Sequence, residues 1–382
     1  MSGPDGLPQP RTTDRPALIM AGGTGGHVFP ALAVAERLRQ TGVPVVWMGT
    51  RQGLEAKLVP AAGIAIEWIG VAGLRGKGLR RLLTLPFMLS RALLQAITIL
   101  RRLRPPVVLG MGGFASGPGG LAARLLGIPL VVHEQNAIAG LTNRWLARLA
   151  SRVLEAFPGT FPASRRALAV GNPVRDAIAA LPPPALRFAG REGRLRLLVL
   201  GGSQGALALN QLVPQALAQL PEAARPEVWH QAGGRLHDTA AAAYQEAGVA
   251  ARLTPFIDDM AAAYAWADLV LCRAGALTIA ELAAAGVAAL LVPFPFAVDD
   301  HQTANAAFLA RGGAARVVQQ ADLDAAALAA LLGELLADRQ ALWAMAEAAR
   351  ALAQVDSAAR VAAICLEQAG LSAAADRSGR AS

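Results

Sequence analysis

Two stretches of the chain carry the same design. ALIMAGGTGGHVFPALAVAERL (17–38) and RLLVLGGSQGALALNQLVPQAL (196–217) each run from an apolar strand through a glycine turn into a helical pattern. A strand ending in glycines where a helix begins is an anion-binding element. Glycine lets the backbone approach a ligand closely, and the first helical N–H groups point at it. The duplication extends further: ADLVLCRAGALTIAELAAAGVAALLVPFP echoes PPVVLGMGGFASGPGGLAARLLGIPLVVHEQ. Strand-like runs (ALIMAGG, VVWMGT, VVLGMGG, PLVVHEQN) alternate with helical ones, and the alternation restarts near residue 195. This βα order predicts an α/β fold: two doubly wound parallel-sheet domains facing each other across a cleft. Ligands of such sheets bind outside the carboxyl ends of the strands, where both glycine loops fall.

A length of 382 residues allows two full cores. Proline density in VGNPVRDAIAALPPP places the seam there. The expected organisation is a first domain over 17–170, a linker or hinge over 171–184, a second domain over 185–350, and a C-terminal helix over 351–370 returning to the first domain. Residues 1–16 and 371–382 are polar and are expected to be disordered tails, with no apolar segment of a signal peptide. Cys272 and Cys365 are too few for a disulfide framework and read as buried thiols of a reducing compartment. The most apolar stretch, Leu82 to Leu100, is interrupted by Pro86, Arg91 and Gln95, which disfavours a membrane span. The formal net charge of +9 is concentrated: between Trp68 and His133 there is no acid, yet Arg75, Lys77, Arg80, Arg81, Arg91, Arg101, Arg102, Arg104 and Arg124 all lie there.

The dinucleotide fingerprint fails, because G-x-G-x-x-G from Gly23 requires glycine where Val28 stands, and VVWMGT ends without an acid for a ribose. No P-loop motif occurs either. Stronger signals come later. In RAGALTIAELAAAG, Thr278 and Glu281 have the spacing of a helix capping box. The alternative is that Glu281 accepts hydrogen bonds from the two ribose hydroxyls of a nucleotide lying on the helix start. DDHQTANA adds Asp300, His301, Gln302 and Asn305, polar groups suited to sugar hydroxyls.

GGTGGHVFPALA, GMGGFASGPGGLAA, HEQNAIAGLTNRWLA, GNPVR, GGSQGA, RAGALTIAE and DDHQTANA occur in the order and spacing of the MurG family, which the chain resembles from about residue 17 to 365. The resemblance implies a GT-B fold of two Rossmann-like domains. It also implies inverting transfer of GlcNAc from UDP-GlcNAc to the muramoyl 4-hydroxyl of undecaprenyl-pyrophosphate-linked MurNAc-pentapeptide (lipid I), giving lipid II and UDP in peptidoglycan synthesis. The second domain would take the donor. Ser203 would bind its diphosphate, the backbone of Ile257 its uracil, the N–H groups of Ala276, Leu277 and Thr278 its phosphate, Glu281 its ribose and Gln302 its GlcNAc hydroxyls. Thr24, Gly25, Gly26 and Asn136 would approach the sugar, and Arg175 would add positive charge. Gly22 and Gly23 belong to the acceptor loop, and GGTGGH is expected to cradle the acceptor's diphosphate. Phe114 stands where many relatives carry tyrosine, so any bond of that hydroxyl is lost.

No D-x-D metal site is evident beside the expected sugar and base ends, where Asp258–Asp259 and Asp299–Asp300 lack the intervening residue, so no cofactor is expected, although a divalent cation could stimulate the reaction. Fixed donors and a helix dipole would then carry the leaving charge. An inverting displacement needs a base. His27 is the first candidate, with the ordinary imidazole pKa of about 6.5, against a purely structural reading as a cap or phosphate donor. His133 is the alternative base, with Glu134 either orienting it or capping a helix. His230 and His237 are expected at the surface, and Asn143 and Arg144 are expected to serve their own helix.

From Arg80 to Arg102 the polar residues Arg80, Thr84, Arg91, Gln95, Thr98 and Arg102 form one helical stripe. An amphipathic helix packed on the sheet explains this spacing. A membrane-facing reading adds Leu79, Leu83 and Phe87 dipping into an anionic inner leaflet, with Arg75, Lys77 and Arg80 at headgroups. That reading places the protein peripherally on the cytoplasmic face of the bacterial plasma membrane. Nucleic acid is a poorer partner, since aromatics are not interleaved with the basic residues. The rival functions are a UDP-GlcNAc 2-epimerase, which shares the donor site without needing lipid, and a non-catalytic nucleotide-sugar binding protein.

Overall fold

The computed structural model describes residues 13–71, 79–202 and 205–371, without the side chains of 79–85 and 298. The chain divides into two compact units, one built from residues up to Gln135, 139–173 and 356 onward, the other from 136–138 and 174–355.

In unit 1, seven strands run β1 (Ala17–Met20), β2 (Val45–Gly49), β3 (Ala65–Trp68), β4 (Val108–Gly110), β5 (Leu130–Glu134), β6 (Arg152–Glu155) and β7 (Leu168–Ala169). They lie in the order β3-β2-β1-β4-β5-β6-β7, all parallel, with Ile19 level with Trp47 on one side and Leu109 on the other. The order reverses between β1 and β4, so the turns after these strands open at the switch point where such sheets bind ligands. Helices α1 (Gly25–Gln40), α2 (Glu55–Ala61) and α3 (Leu79–Leu103) follow β1, β2 and β3. The core on one face joins Ile19, Trp47 and Leu109 to Ala31 and Val34 of α1 and to Val361 and Cys365 of the C-terminal helix Ser357–Gln368. On the other face Ala96 and Leu100 of α3 pack on Leu18, Met20 and Val108.

Unit 2 repeats the plan with β8 (Arg196–Leu200), β9 (Glu227–Gln231), β10 (Arg252–Thr254), β11 (Leu269–Cys272), β12 (Ala288–Leu291) and β13 (Ala315–Val317). The parallel order is β10-β9-β8-β11-β12-β13, with its reversal between β8 and β11.

The seam is narrower than the expected linker 171–184. Unit 2 starts at Val174, and helices Asp176–Ala179 and Pro184–Phe188 are docked on it. Arginines explain why a proline-rich stretch is held. Arg187 donates to the carbonyls of Tyr264 (3.1 Å), Ala285 (2.7 Å) and Gly286, and Arg191 to that of Trp266 and to Asp268 Oδ1 (2.6 Å). They satisfy carbonyls that helix C-termini leave unpaired. Unit 1 resumes at Asp356 rather than 351, and Leu371, placed in the tail by sequence, is buried in the core.

Candidate functional site

Most of the residues expected to bind the donor lie in unit 2, with Thr24, Gly25 and Gly26 in unit 1. Helix Ala276–Ala285 begins right after β11 with Gly275 as its N-cap, so the N–H groups of Ala276, Leu277 and Thr278 form the first turn, where no intrahelical acceptor exists. This placement overturns the capping-box reading. Thr278 is the third helical residue rather than the cap, and Glu281 points elsewhere. Its carboxylate, 6% exposed, accepts from Arg175 Nη2 at 2.9 Å and from the Tyr264 hydroxyl at 3.1 Å. Burial pushes the Glu281 carboxyl up, while Arg175 and the Tyr264 hydroxyl pull it back. Tyr264 is itself raised well above its usual range, first by burial and then by Glu281, so it stays a donor.

Gln302 lies in the first turn of helix His301–Arg311. Its Oε1 accepts from Ala274 N (3.2 Å) and Phe294 N (2.9 Å), which pins the turns after β11 and β12 together and leaves Nε2 to donate. Asn305, fully buried, accepts from Ala137 N (2.8 Å) and donates to Ala274 O (3.2 Å) and to Asn136 Oδ1 (3.4 Å). Asn136 therefore lies with the unit 2 residues, in the short segment 136–138 whose flanking chain on both sides belongs to unit 1. Ile257 is buried after β10, and neither its amide nor its carbonyl pairs with another described main-chain group. Ser203 lies outside the described residues.

In unit 1 the first glycine loop and the turn after β4 interlock. The His27 ring lies against Gly112, where a Cβ would come within 2.8 Å of its Cδ2, and Nδ1 is 3.5 Å from Thr24 Oγ1. Gly112 also has a φ of +93°, so glycine is needed there on both counts. Thr24 is the N-cap of α1, which makes Gly25, Gly26 and His27 its first turn. Thr24 and Gly23 are exposed, Gly22 is buried, and Phe114 is exposed beside them.

The residue that sequence reasoning missed is Glu55. Its carboxylate, fully buried at the start of α2, accepts from Gly23 N (2.9 Å), Thr50 N (3.1 Å) and Thr50 Oγ1 (2.7 Å). A Cβ on Gly22 or Gly53 would overlap its oxygens. The Gly23 amide of the loop is thereby already bonded, and the N–H groups of Gly25 and Gly26 at the start of α1 are the ones left to meet a ligand.

His133 does not fit the role of alternative base. It is fully buried, with Nε2 2.9 Å from Gly171 O, which requires the proton on Nε2, and Nδ1 accepting from Gln135 Nε2 at 3.2 Å. Burial lowers its pKa to about 4, and an attacking hydroxyl has no access. Glu134 accepts from Gly140 N (3.1 Å) and Asn143 Nδ2 (2.9 Å), and so holds the start of helix Leu141–Leu146. Asn143 serves this link rather than its helix alone. His230 is not at the surface. On β9, with no exposure, it accepts from the Tyr244 hydroxyl (3.0 Å) and donates to Asn210 Oδ1 (3.0 Å), its pKa lowered to about 3 by burial.

Of the basic region, Arg75 and Lys77 lie outside the described residues, as do the side chains of Leu79, Arg80 and Leu83. Along α3, Phe87 is 75% exposed and Leu94 64%, Arg91 is exposed, and Arg102 pairs with Glu67 at 2.6 Å. Among the described residues no helix is long and apolar enough to cross a membrane, and no group of three or more His, Cys, Asp or Glu could hold a metal ion.

Two parallel-sheet units with glycine turns and open helix starts at their switch points have the architecture of the GT-B fold, the class to which many glycosyltransferases belong. The model of the glycosyltransferase family 28 N-terminal domain matches residues 17–155 and that of the C-terminal domain residues 196–361. The chain belongs to glycosyltransferase family 28. It is 62% identical over 350 residues to the UDP-N-acetylglucosamine--N-acetylmuramyl-(pentapeptide) pyrophosphoryl-undecaprenol N-acetylglucosamine transferase of Nitrosococcus oceani, covering 92% of this chain and 98% of that one. The crystal structure of Acinetobacter baumannii MurG aligns with a TM-score of 0.81 and 45% identity, over 92% of this chain and 99% of that one. A solved UDP-N-acetylglucosamine 2-epimerase aligns with a TM-score of 0.63 at 14% identity, over 94% of this chain and 97% of that one, a likeness of fold alone.

Proposed function

We propose that this enzyme transfers GlcNAc from UDP-GlcNAc to the 4-hydroxyl of MurNAc in lipid I, with inversion, releasing UDP and lipid II for peptidoglycan synthesis. The observation that carries the reading is near full-length identity of 62% to a transferase named for these substrates. The donor side of the site agrees with it. The amides of Ala276, Leu277 and Thr278, at the positive end of a helix, suit a diphosphate. Glu281, preset by Arg175 and Tyr264, offers a carboxylate to ribose hydroxyls, and Gln302 Nε2 and Asn136 face sugar hydroxyls.

In the reaction the muramoyl O4 attacks the anomeric carbon of GlcNAc. The bond from that carbon to the β-phosphate oxygen breaks, and UDP leaves with the electron pair. The hydroxyl proton passes to His27, whose ring is braced by Gly112. The helix amides, with Arg175, meet the charge that grows on the diphosphate without having to reorganise, and Ser203 is expected to donate to it as well. No resident cofactor is invoked; transfer is expected to persist in a chelator, with any added divalent cation acting as a stimulant only. The exposed Phe87, Leu94 and Arg91 on α3, with Arg75, Lys77, Leu79, Arg80 and Leu83 before them in sequence, support peripheral binding to anionic lipid on the cytoplasmic face. Nucleic acid is not proposed as a partner.

Purified enzyme with labelled UDP-GlcNAc should move label into the lipid fraction only when lipid I is present. His27→Ala should lower kcat by about 10²- to 10⁴-fold with donor affinity kept. Formation of UDP-ManNAc without lipid would instead establish the epimerase, and UDP binding without turnover the binding protein.

A further inference from the structure

Glu281 receives one protein donor on each oxygen. Arg175 Nη2 meets Oε1 at 2.9 Å and the Tyr264 hydroxyl meets Oε2 at 3.1 Å. A carboxylate has about four acceptor sites, so each oxygen keeps one for a ligand. The 2′ and 3′ hydroxyls of a ribose are neighbours on one face of the ring, and two oxygens that each offer one site suit them both. A 2′-deoxyribose would bring a single donor and leave one buried acceptor site unpaired, which lowers affinity.

The two protein donors are not equivalent. Arg175 is the N-cap of the short helix Asp176–Ala179, its side chain is partly exposed, and in the reading above it has a second task at the diphosphate. Tyr264 is fully buried on helix Met260–Trp266, which packs on both helix Ala276–Ala285 and helix Asp176–Ala179. Its carbonyl is held by Arg187 at 3.1 Å, and Asp259 caps its helix by accepting from Ala262 N at 2.9 Å. Among the described residues the Glu281 carboxylate is the one acceptor of its hydroxyl. The phenol therefore has a single task, which is to fix Oε2. Without that tie the carboxylate can turn and meet Arg175 with both oxygens, the fork geometry a guanidinium favours. One of the two sites open to a ligand is then lost. The helix that carries Tyr264 starts three residues after Ile257, so the segment expected at the uracil also bears the group that sets the ribose contact.

We propose that Tyr264 is a positioning residue that makes the site selective for ribose over 2′-deoxyribose nucleotides, by holding the Glu281 carboxylate toward both sugar hydroxyls. The proposal rests on the reading above that the donor's ribose lies at Glu281.

The test uses the full-length enzyme, with UDP and 2′-deoxy-UDP as probes in calorimetric titrations. The unaltered enzyme should bind UDP about ten- to hundred-fold more tightly than 2′-deoxy-UDP. Tyr264→Phe keeps the ring and removes the hydroxyl. It should weaken UDP by about ten-fold and 2′-deoxy-UDP by about two-fold or less, which draws the two affinities together. Glu281→Gln should narrow the ratio as well, and the double variant should bind UDP little worse than Glu281→Gln alone, because both substitutions act on one contact. A purely structural loss in Tyr264→Phe would weaken both nucleotides alike and keep their ratio, and that outcome would overturn the proposal. Equal affinity of the unaltered enzyme for the two nucleotides would overturn it too, a measurement that needs no variant to fold. An unchanged ratio in Glu281→Gln would move the ribose elsewhere and sink the proposal with it. Absence of transfer to lipid I, with the ratio narrowing in Tyr264→Phe, would remove the transferase reading and leave the ribose assignment standing.

Discussion

At the residue scale, Glu55 and Glu281 show two ways of keeping a buried carboxylate. Glu281 is held by a guanidinium and a phenol, whereas Glu55 is held by two amides and a hydroxyl, with no cation among the described residues. A charged acceptor bonded in this way contributes about 1.5–3 kcal/mol per bond, and more is lost when one donor is left unpaired. In Glu55→Gln the amide oxygen still serves Thr50, but the new NH2 group faces the Gly23 N–H, donor against donor. The loop that positions His27 then loses its latch. We expect kcat to fall about ten- to hundred-fold with the UDP-GlcNAc KM within about two-fold; steady-state kinetics with both substrates varied would show it, and an unchanged kcat would remove Glu55 from the positioning of the loop. Glu281→Gln acts on the other substrate. It keeps the shape but loses the charge toward Arg175 and the ribose, so the UDP-GlcNAc KM should rise about ten-fold. The Arg175 side chain is 34% exposed, so solvent screens the pair and little global stability should be lost. A calorimetric titration with UDP and a thermal melt separate the two effects.

At the scale of elements, the strands and helix starts were legible because each is announced by its own local chemistry. ALIM, VVWMG and LVLC are apolar runs closed by glycine or polar turns, and all three are strands. The inward or outward direction of polar groups on those strands was not legible. A parallel sheet covered on both faces buries both sides of a strand, so alternation carries no sidedness signal. His133 on β5 and His230 on β9 are both buried for this reason. Glu55 was hidden differently: its partner Gly23 lies 32 residues away, a proximity only the β1–β2 pairing creates. Of the two readings open for Thr278 and Glu281, the capping box fails because the cap is Gly275, three residues before Thr278. The buried histidines carry a pH prediction. Their folded pKa values, about 4 and about 3, lie below the 6.5 of the free side chain, so the unfolded chain takes up protons first as pH falls. Their contribution is intact above about pH 6.5 and is lost on acidification, by about 2 kcal/mol per histidine between pH 7 and pH 5. Urea unfolding at the two pH values should show this loss. His230→Gln should flatten the part assigned to unit 2 by exchange of the β8 and β9 amides.

At the scale of the whole molecule, the chain visits unit 2 twice, at 136–138 and at 174–355, and the residues proposed to meet the nucleotide fall in those segments, whereas Thr24, Gly25 and Gly26, expected at the donor sugar, lie in unit 1. Asn136, Ile257, Ala276 to Thr278, Glu281 and Gln302 come from widely separated parts of the sequence, yet all belong to the unit whose sheet reverses between β8 and β11. Glu55, His27 and Gly112 belong to the unit whose sheet reverses between β1 and β4. A ligand that engages only the nucleotide machinery should therefore stabilise one unit and leave the other as it was. At about one hundred times its Kd, UDP should raise the unfolding free energy of unit 2 by about 2.7 kcal/mol. Hydrogen exchange read by mass spectrometry resolves where that stabilisation lies. With UDP bound, amides at 276–279 and around Ile257 should exchange more slowly, and those at 25–28 should keep their rates. Slowing at 25–28 with none at 276–279 would move the nucleotide to the first glycine loop, and the division of substrates between the two units would have to be reversed.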